Sequence, residues 1–114
     1  MAKLKRESKL FGSERRTEIL LLITLLEETY PGELTRLLDA KAAAVLYIVD
    51  GLEAEGIISS RRLGRTRRLA LDPRYFAAKE LKALLVKHGE ANARLRQLSG
   101  KRRARPRRTG KGLE

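Results

Sequence analysis

Five arginines and one glycine fall within the eight residues Arg61-Arg62-Leu63-Gly64-Arg65-Thr66-Arg67-Arg68. Guanidinium groups stay charged at any cellular pH and donate paired hydrogen bonds to phosphate oxygens. The residues on either side, 57–62 and 66–71, are of strand type, and the glycine between them supplies a tight turn. The pattern predicts a β-hairpin whose Arg61, Arg62, Arg65, Thr66, Arg67 and Arg68 grip a polyanion.

The formal net charge is +12, but it is unevenly placed along the chain. Residues 11–58 carry nine acids against four bases, whereas residues 59–76 carry six bases against one acid. Basic residues also collect at both ends, in Lys3, Lys5, Arg6 and Lys9 and in Lys101, Arg102, Arg103, Arg105, Arg107 and Arg108. An acidic body with basic appendages tells where a nucleic acid would sit, which a uniform charge does not. The arm, the hairpin and the tail are therefore the expected contact points.

Catalytic chemistry finds little to work with. There is no cysteine and a single histidine, His88, so no nucleophile and base can be paired, and the chain is expected not to be an enzyme. A metal site needs clustered cysteines, histidines and carboxylates, and none is expected here; no cofactor-binding fingerprint is present either. Three tyrosines and two phenylalanines offer a poor stacking platform for single strands. Duplex DNA is the better ligand.

The length of 114 residues suits one small domain with a single core. The longest apolar run, 19–26, falls far short of the roughly 20 residues that span a bilayer, and no apolar stretch follows the basic N-terminus to make a secretory signal. A cytoplasmic, nucleoid-associated protein that contacts no membrane is the expectation.

Ser13 starts a helix in which Ile19, Leu22, Ile23 and Leu26 recur at helical spacing, widened by Leu20, Leu21 and Leu25 until the helix is apolar almost all round. Such a helix must be covered on two sides, which suggests a homodimer. Pro31 opens a short second helix with Leu34, Leu37 and Leu38 inward. A third helix, 42–55, turns Val45, Val49 and Leu52 inward and ends at a left-handed Gly56. Gly51 inside it implies a close approach by a neighbouring element. The last helix begins near Tyr75 or Phe76. Its Leu81, Leu84, His88, Ala91, Leu95 and Leu98 repeat as a dimer seam would, while Lys87-His88-Gly89 reads equally as a helix end. From Gly100 onward the apolar content is too low to offset ordering entropy, and disorder is expected.

Helix, short helix, turn, helix and basic hairpin, in that order, resemble the winged helix-turn-helix of bacterial and archaeal DNA-binding regulators, nearest to the arsenic-repressor-like group. The resemblance runs from Leu10 to about Phe76, through Glu-Leu-Thr-Arg-Leu-Leu, Val-Asp-Gly-Leu-Glu-Ala-Glu-Gly-Ile-Ile and Leu-Gly-Arg-Thr-Arg-Arg-Leu-Ala-Leu-Asp-Pro. It implies an α+β, mainly α fold, with a three-helix core, a two- to three-stranded β wing and a C-terminal helix. It implies further that the third helix enters the major groove, that the wing follows the backbone or minor groove, and that the protein is a symmetric dimer.

Carried over, the base-reading positions are Lys41, Ala42, Ala43, Ala44, Leu46, Tyr47 and Ile48. They depart from the pattern: only Lys41 and Tyr47 offer hydrogen-bonding groups, and direct readout needs donors and acceptors matched to base edges. Strong sequence specificity is not expected from this helix. The organisation is thus a basic arm (1–10), a winged-helix domain (11–76), a C-terminal dimerisation helix (77–99) and a basic tail (100–114). The function expected is that of a small dimeric transcriptional regulator. A protein-interaction adaptor and an RNA-binding module are the alternatives.

Overall fold

The computed structural model describes residues 10–104, with side chains up to Lys101. The order is α1 (Glu14–Leu26), α2 (Pro31–Leu38), α3 (Ala42–Ala54), β1 (Ile58–Leu63), β2 (Thr66–Leu71), α4 (Ala78–Glu90) and α5 (Ala93–Ala104). Mainly helical with one antiparallel β-ribbon, it is the α+β winged helix expected.

The ends of the helices have local causes. The hydroxyl of Ser13 accepts a hydrogen bond from the Arg16 amide at 3.1 Å and starts α1. Pro31 starts α2, where its missing N–H costs nothing. Gly56, at φ +79°, ends α3 in the left-handed conformation, with the Ile57 amide bonded back to the Leu52 carbonyl at 3.1 Å.

In the ribbon, Ile58 pairs with Leu71 and Leu63 with Thr66, leaving Gly64 and Arg65 as a two-residue turn. Gly64 has φ +65° and Arg65 does not share that sign, the arrangement of a type II′ hairpin turn. A third strand is reduced to one bridge, in which Thr29 and Leu69 exchange backbone hydrogen bonds of 3.0 and 2.7 Å. Asp72 then holds Arg74 through its amide, Nε and Nη2 at 2.9 to 3.1 Å and closes the wing.

The apolar helix α1 is the axis of the core. Every residue from 17 to 24, and Leu26, is buried. The helix is covered within one copy by α3, β2, α4 and α5. Hence the apolar circumference of α1 does not call for a second subunit, contrary to expectation.

Nor is the C-terminal segment one helix. It breaks at Ala91-Asn92, where the Asn92 side chain accepts from the Leu95 amide at 3.0 Å and starts α5. The break abolishes the continuous seam from Leu81 to Leu98: Leu84 faces solvent while Leu95 is fully buried. Arg94 then ties α5 to the buried Glu18 of α1.

Gly89 does not end α4 in a left-handed turn. It lies inside the helix, where a Cβ would come within 3.2 Å of Leu25 Cγ and Cδ2. The close approach expected at Gly51 is therefore found at Gly89, for at Gly51 only Arg16 Nη1 is near, at 3.9 Å. Finally, α5 continues past Gly100 to Ala104, so Lys101 is an exposed helical residue and not the first of a disordered tail.

Candidate nucleic-acid interface

The wing register sets arginine against arginine. Arg61 stands opposite Arg68 on one face of the ribbon, and Arg62 opposite Arg67 on the other. Directly opposed like charges destabilise a β-pair. The helical body supplies carboxylates on both faces.

On the first face Glu28, from the turn after α1, accepts from Arg61 Nη2 at 2.9 Å and lies 3.5 Å from Arg68 Nη2. The hydrogen bond from Arg61, together with both positive charges, outweighs partial desolvation and holds the Glu28 carboxyl below its ordinary 4.5. A depressed carboxylate stays ionised at neutral pH, and the pairing loosens only as the pH falls through that lower value. The Arg68 guanidinium also lies 5.8 Å from the centroid of the Tyr30 ring, a cation–π distance.

On the second face Arg67 Nη2 donates to Asp50 Oδ1 at 2.9 Å and to Glu53 Oε1 at 2.6 Å. Glu53 Oε2 also accepts from Ser60 Oγ at 2.8 Å. Burial works against the Arg67 charge, but the bonds to Glu53 and Asp50 outweigh it and its pKa rises above the ordinary value. Because Asp50 and Glu53 lie one turn apart on α3, this guanidinium is a strut between wing and third helix.

Arg62 and Arg65 differ from the rest. Both are exposed, and neither is paired with a carboxylate among the described residues. Arg65 occupies the turn, beside Thr66 at the start of β2. The five wing arginines thus divide into three engaged with the protein's own acids and two that face outward. The sequence assigns all five to a polyanion; in the free protein Arg61, Arg67 and Arg68 already hold carboxylates of the same chain.

The third helix presents the opposite chemistry. Val45, Val49 and Leu52 are buried as expected. The outer side carries Lys41, Ala42, Ala43, Ala44, Leu46, Tyr47 and Asp50, all exposed, with Tyr47 at 81% and Ile48 half-buried. Apart from Lys41 at the N-cap, the Tyr47 hydroxyl and the Asp50 carboxylate, this surface is apolar. Lys41, Ala42, Ala43 and Tyr47 are brought together on one accessible face.

Of the tail residues, Arg102 and Arg103 fall within the α5 backbone, while Arg105, Arg107 and Arg108 lie outside the described residues, as do Lys3, Lys5, Arg6 and Lys9. The residues that sequence reasoning missed are Glu28, Asp50 and Glu53. Their signal was the acid excess of the body, but partners 33 residues apart, such as Glu28 and Arg61, carry no local mark. Among the described residues no group of histidines and carboxylates could hold a metal ion, and no helix is long and apolar enough to cross a membrane.

No protein-family model and no curated protein matches the sequence. Two solved structures of ZitR from Lactococcus lactis, both of a double mutant, do resemble it. The apo form has a TM-score of 0.53 and 19% identity, covering 75% of this chain and 66% of its own, so this chain spans just under two thirds of that structure. The other has a TM-score of 0.55 and 18% identity, covering 86% of this chain and 72% of its own. At such identity the likeness shows the fold alone: this is a winged helix, and the arsenic-repressor-like subgroup named from sequence is not singled out.

Proposed function

We propose that the protein is a DNA-binding regulator that grips duplex DNA through its wing and acts as a homodimer. The observation that carries this reading is the outward pair Arg62 and Arg65 on a winged-helix scaffold. Guanidiniums at a hairpin tip fit phosphates or a narrow minor groove, and affinity then comes mainly from counterion release. Such contacts discriminate little among sequences. Lys101 and the remaining basic residues of the tail and arm add to the same nonspecific attraction. The carboxylates of Glu28, Asp50 and Glu53 hold the ribbon at a set angle to α3 and can yield Arg61 and Arg68 to phosphate. Exposed ion pairs of this kind are weak and exchange readily. No catalytic or cofactor chemistry enters this reading, which places the protein in the cytoplasm with the nucleoid.

The test is a titration of random duplex DNA across salt concentrations. Arg62→Ala with Arg65→Ala is expected to weaken binding to every duplex alike and to lower the log–log salt slope by about two units, at roughly 0.9 for each phosphate no longer neutralised. An unchanged slope combined with altered sequence preference overturns the assignment.

One observation favours a second reading, a protein-interaction adaptor: the outer side of α3 is apolar and wet, with Leu46 at 40% and Tyr47 at 81% exposure. Equal indifference to duplex, single strand and structured RNA at low salt would decide for it. A preference for structured RNA over duplex would decide for the RNA-binding alternative.

A further inference from the structure

The tip of the wing carries one residue for which its charge gives no reason. Leu63 is the last residue of β1 and pairs with Thr66 across the Gly64-Arg65 turn. Residues two apart along a strand share a face, so Leu63 and Thr66 lie on the face of the Arg61–Arg68 pair. Glu28 holds that pair from the body. Leu63 stands about 7 Å farther out along the ribbon, at roughly 3.4 Å per residue. It is 47% exposed and does not join the apolar core of the described residues.

A lone leucine on a surface is ordinary, but this one has a setting. Arg62 lies on the other face of the ribbon and Arg65 in the turn, both exposed and neither held by a carboxylate among the described residues. Gly64 adds no side chain between them. The ribbon therefore ends in an aliphatic group flanked by two outward guanidiniums. Phosphate contact alone gives no advantage to a leucine there, since a polar residue would serve it better. The guanidiniums match the phosphate walls of a minor groove. The leucine matches the one large apolar surface a duplex can open to that groove, the face of a base pair at an unstacked step.

We infer that Leu63 is a wedge: with the wing in the minor groove, its side chain inserts between two base pairs and kinks the duplex toward the major groove. Insertion of this kind partly unstacks one step and bends DNA by about 20–90°. The unstacking costs least at the flexible pyrimidine–purine steps, TA and CA/TG. The protein thereby selects deformable sites without reading base edges, for which α3 has few donors. The inference rests on the duplex-binding part of the proposed function and adds to it a bending activity and a step preference.

The experiment is energy transfer between dyes at the two ends of a short duplex with one central TA step and no other pyrimidine–purine step. Its counterpart has that step inverted to AT. The parent protein is expected to shorten the end-to-end distance of the TA duplex and to bind it about threefold more tightly than the AT duplex. Leu63→Ser is expected to keep the salt slope, because Arg62 and Arg65 remain, while leaving the duplex straight and erasing the preference. Leu63→Met, still apolar and able to wedge, is expected to keep both. The tip is exposed, so circular dichroism should be unchanged in either variant. A parent that binds no duplex overturns the duplex-binding reading and this inference together. A parent that binds with the salt dependence of phosphate contacts yet leaves the duplex straight overturns the inference alone. So does a bend that survives Leu63→Ser or is lost with Leu63→Met.

Discussion

The wing and the outer side of α3 are neighbours that reach their availability for a ligand by opposite routes. The wing is dense in charge, yet Arg61, Arg67 and Arg68 already face carboxylates of the same molecule. The outer side of the third helix has few polar groups, yet Ala42, Ala43, Leu46 and Tyr47 are exposed. The number of cations therefore overstates what the wing offers at once, and the lack of donors understates how open α3 is. Charge in the wing is held in reserve behind exchangeable ion pairs, whereas α3 is ready but has little to say to base edges beyond apolar contact.

The sharpest way to break that contrast is to open the reserve. Glu28→Gln removes the negative charge shared by Arg61 and Arg68 and leaves a side chain of the same shape. Duplex affinity is expected to rise about fivefold at low salt, since the carboxylate no longer competes with phosphate for Arg61 and Arg68. The salt slope should steepen by about one unit for each guanidinium that gains a phosphate. Competition titrations against the parent protein read both effects. A weaker complex would mean that Glu28 positions the ribbon and does not compete with phosphate.

The element order was legible because its signals are local: Ser13 and Pro31 start helices, Gly56 ends one, and the turn at Gly64 sets the hairpin register. The partition of α3 followed equally from spacing, with Val45, Val49 and Leu52 inward. What remained hidden depends on pairs far apart in the chain. Nothing near Arg61 points to Glu28, and nothing near Arg67 says that Asp50 and Glu53 turn toward the ribbon. The apolar girth of α1 was visible, but its covering by α4 and α5 was not, since the break at Asn92 folds α5 back onto the same core. An identical hydrophobic pattern serves a subunit contact or an internal one.

The α3 side of the comparison is sharpened by changing the DNA. Ala42, Ala43 and Leu46 can contact the thymine 5-methyl group, the one apolar feature of the major-groove edge. Replacing thymine by deoxyuridine throughout a duplex removes those methyls and nothing else from the base edges. A buried CH₂ is worth about 0.8 kcal/mol, and a methyl partly covered in a groove rather less, so affinity is expected to fall about two- to threefold. The salt slope should stay constant, because the same phosphates are neutralised in both duplexes. Equal affinity for both would show that α3 stays clear of the groove floor and leaves binding to the wing.

The smallest effect concerns the rigidity of α3 and separates its stability from its outer surface. Gly51 lies within the helix with no positive φ, and a Cβ there would meet only Arg16 Nη1 at 3.9 Å, an ordinary van der Waals distance. Gly51→Ala is thus expected to stabilise the fold by about 0.5–1 kcal/mol by restricting the unfolded chain. In a domain of this size that raises the melting temperature by a few degrees. Gly89→Ala should gain less, because Leu25 must shift to admit the new methyl group. Duplex affinity is expected to stay the same in the Gly51 variant, since Tyr47 and its neighbours keep their exposure. A melting temperature that falls would mean that Arg16, which also reaches Glu55 at 3.0 Å, holds α3 more closely than its distance to Gly51 implies.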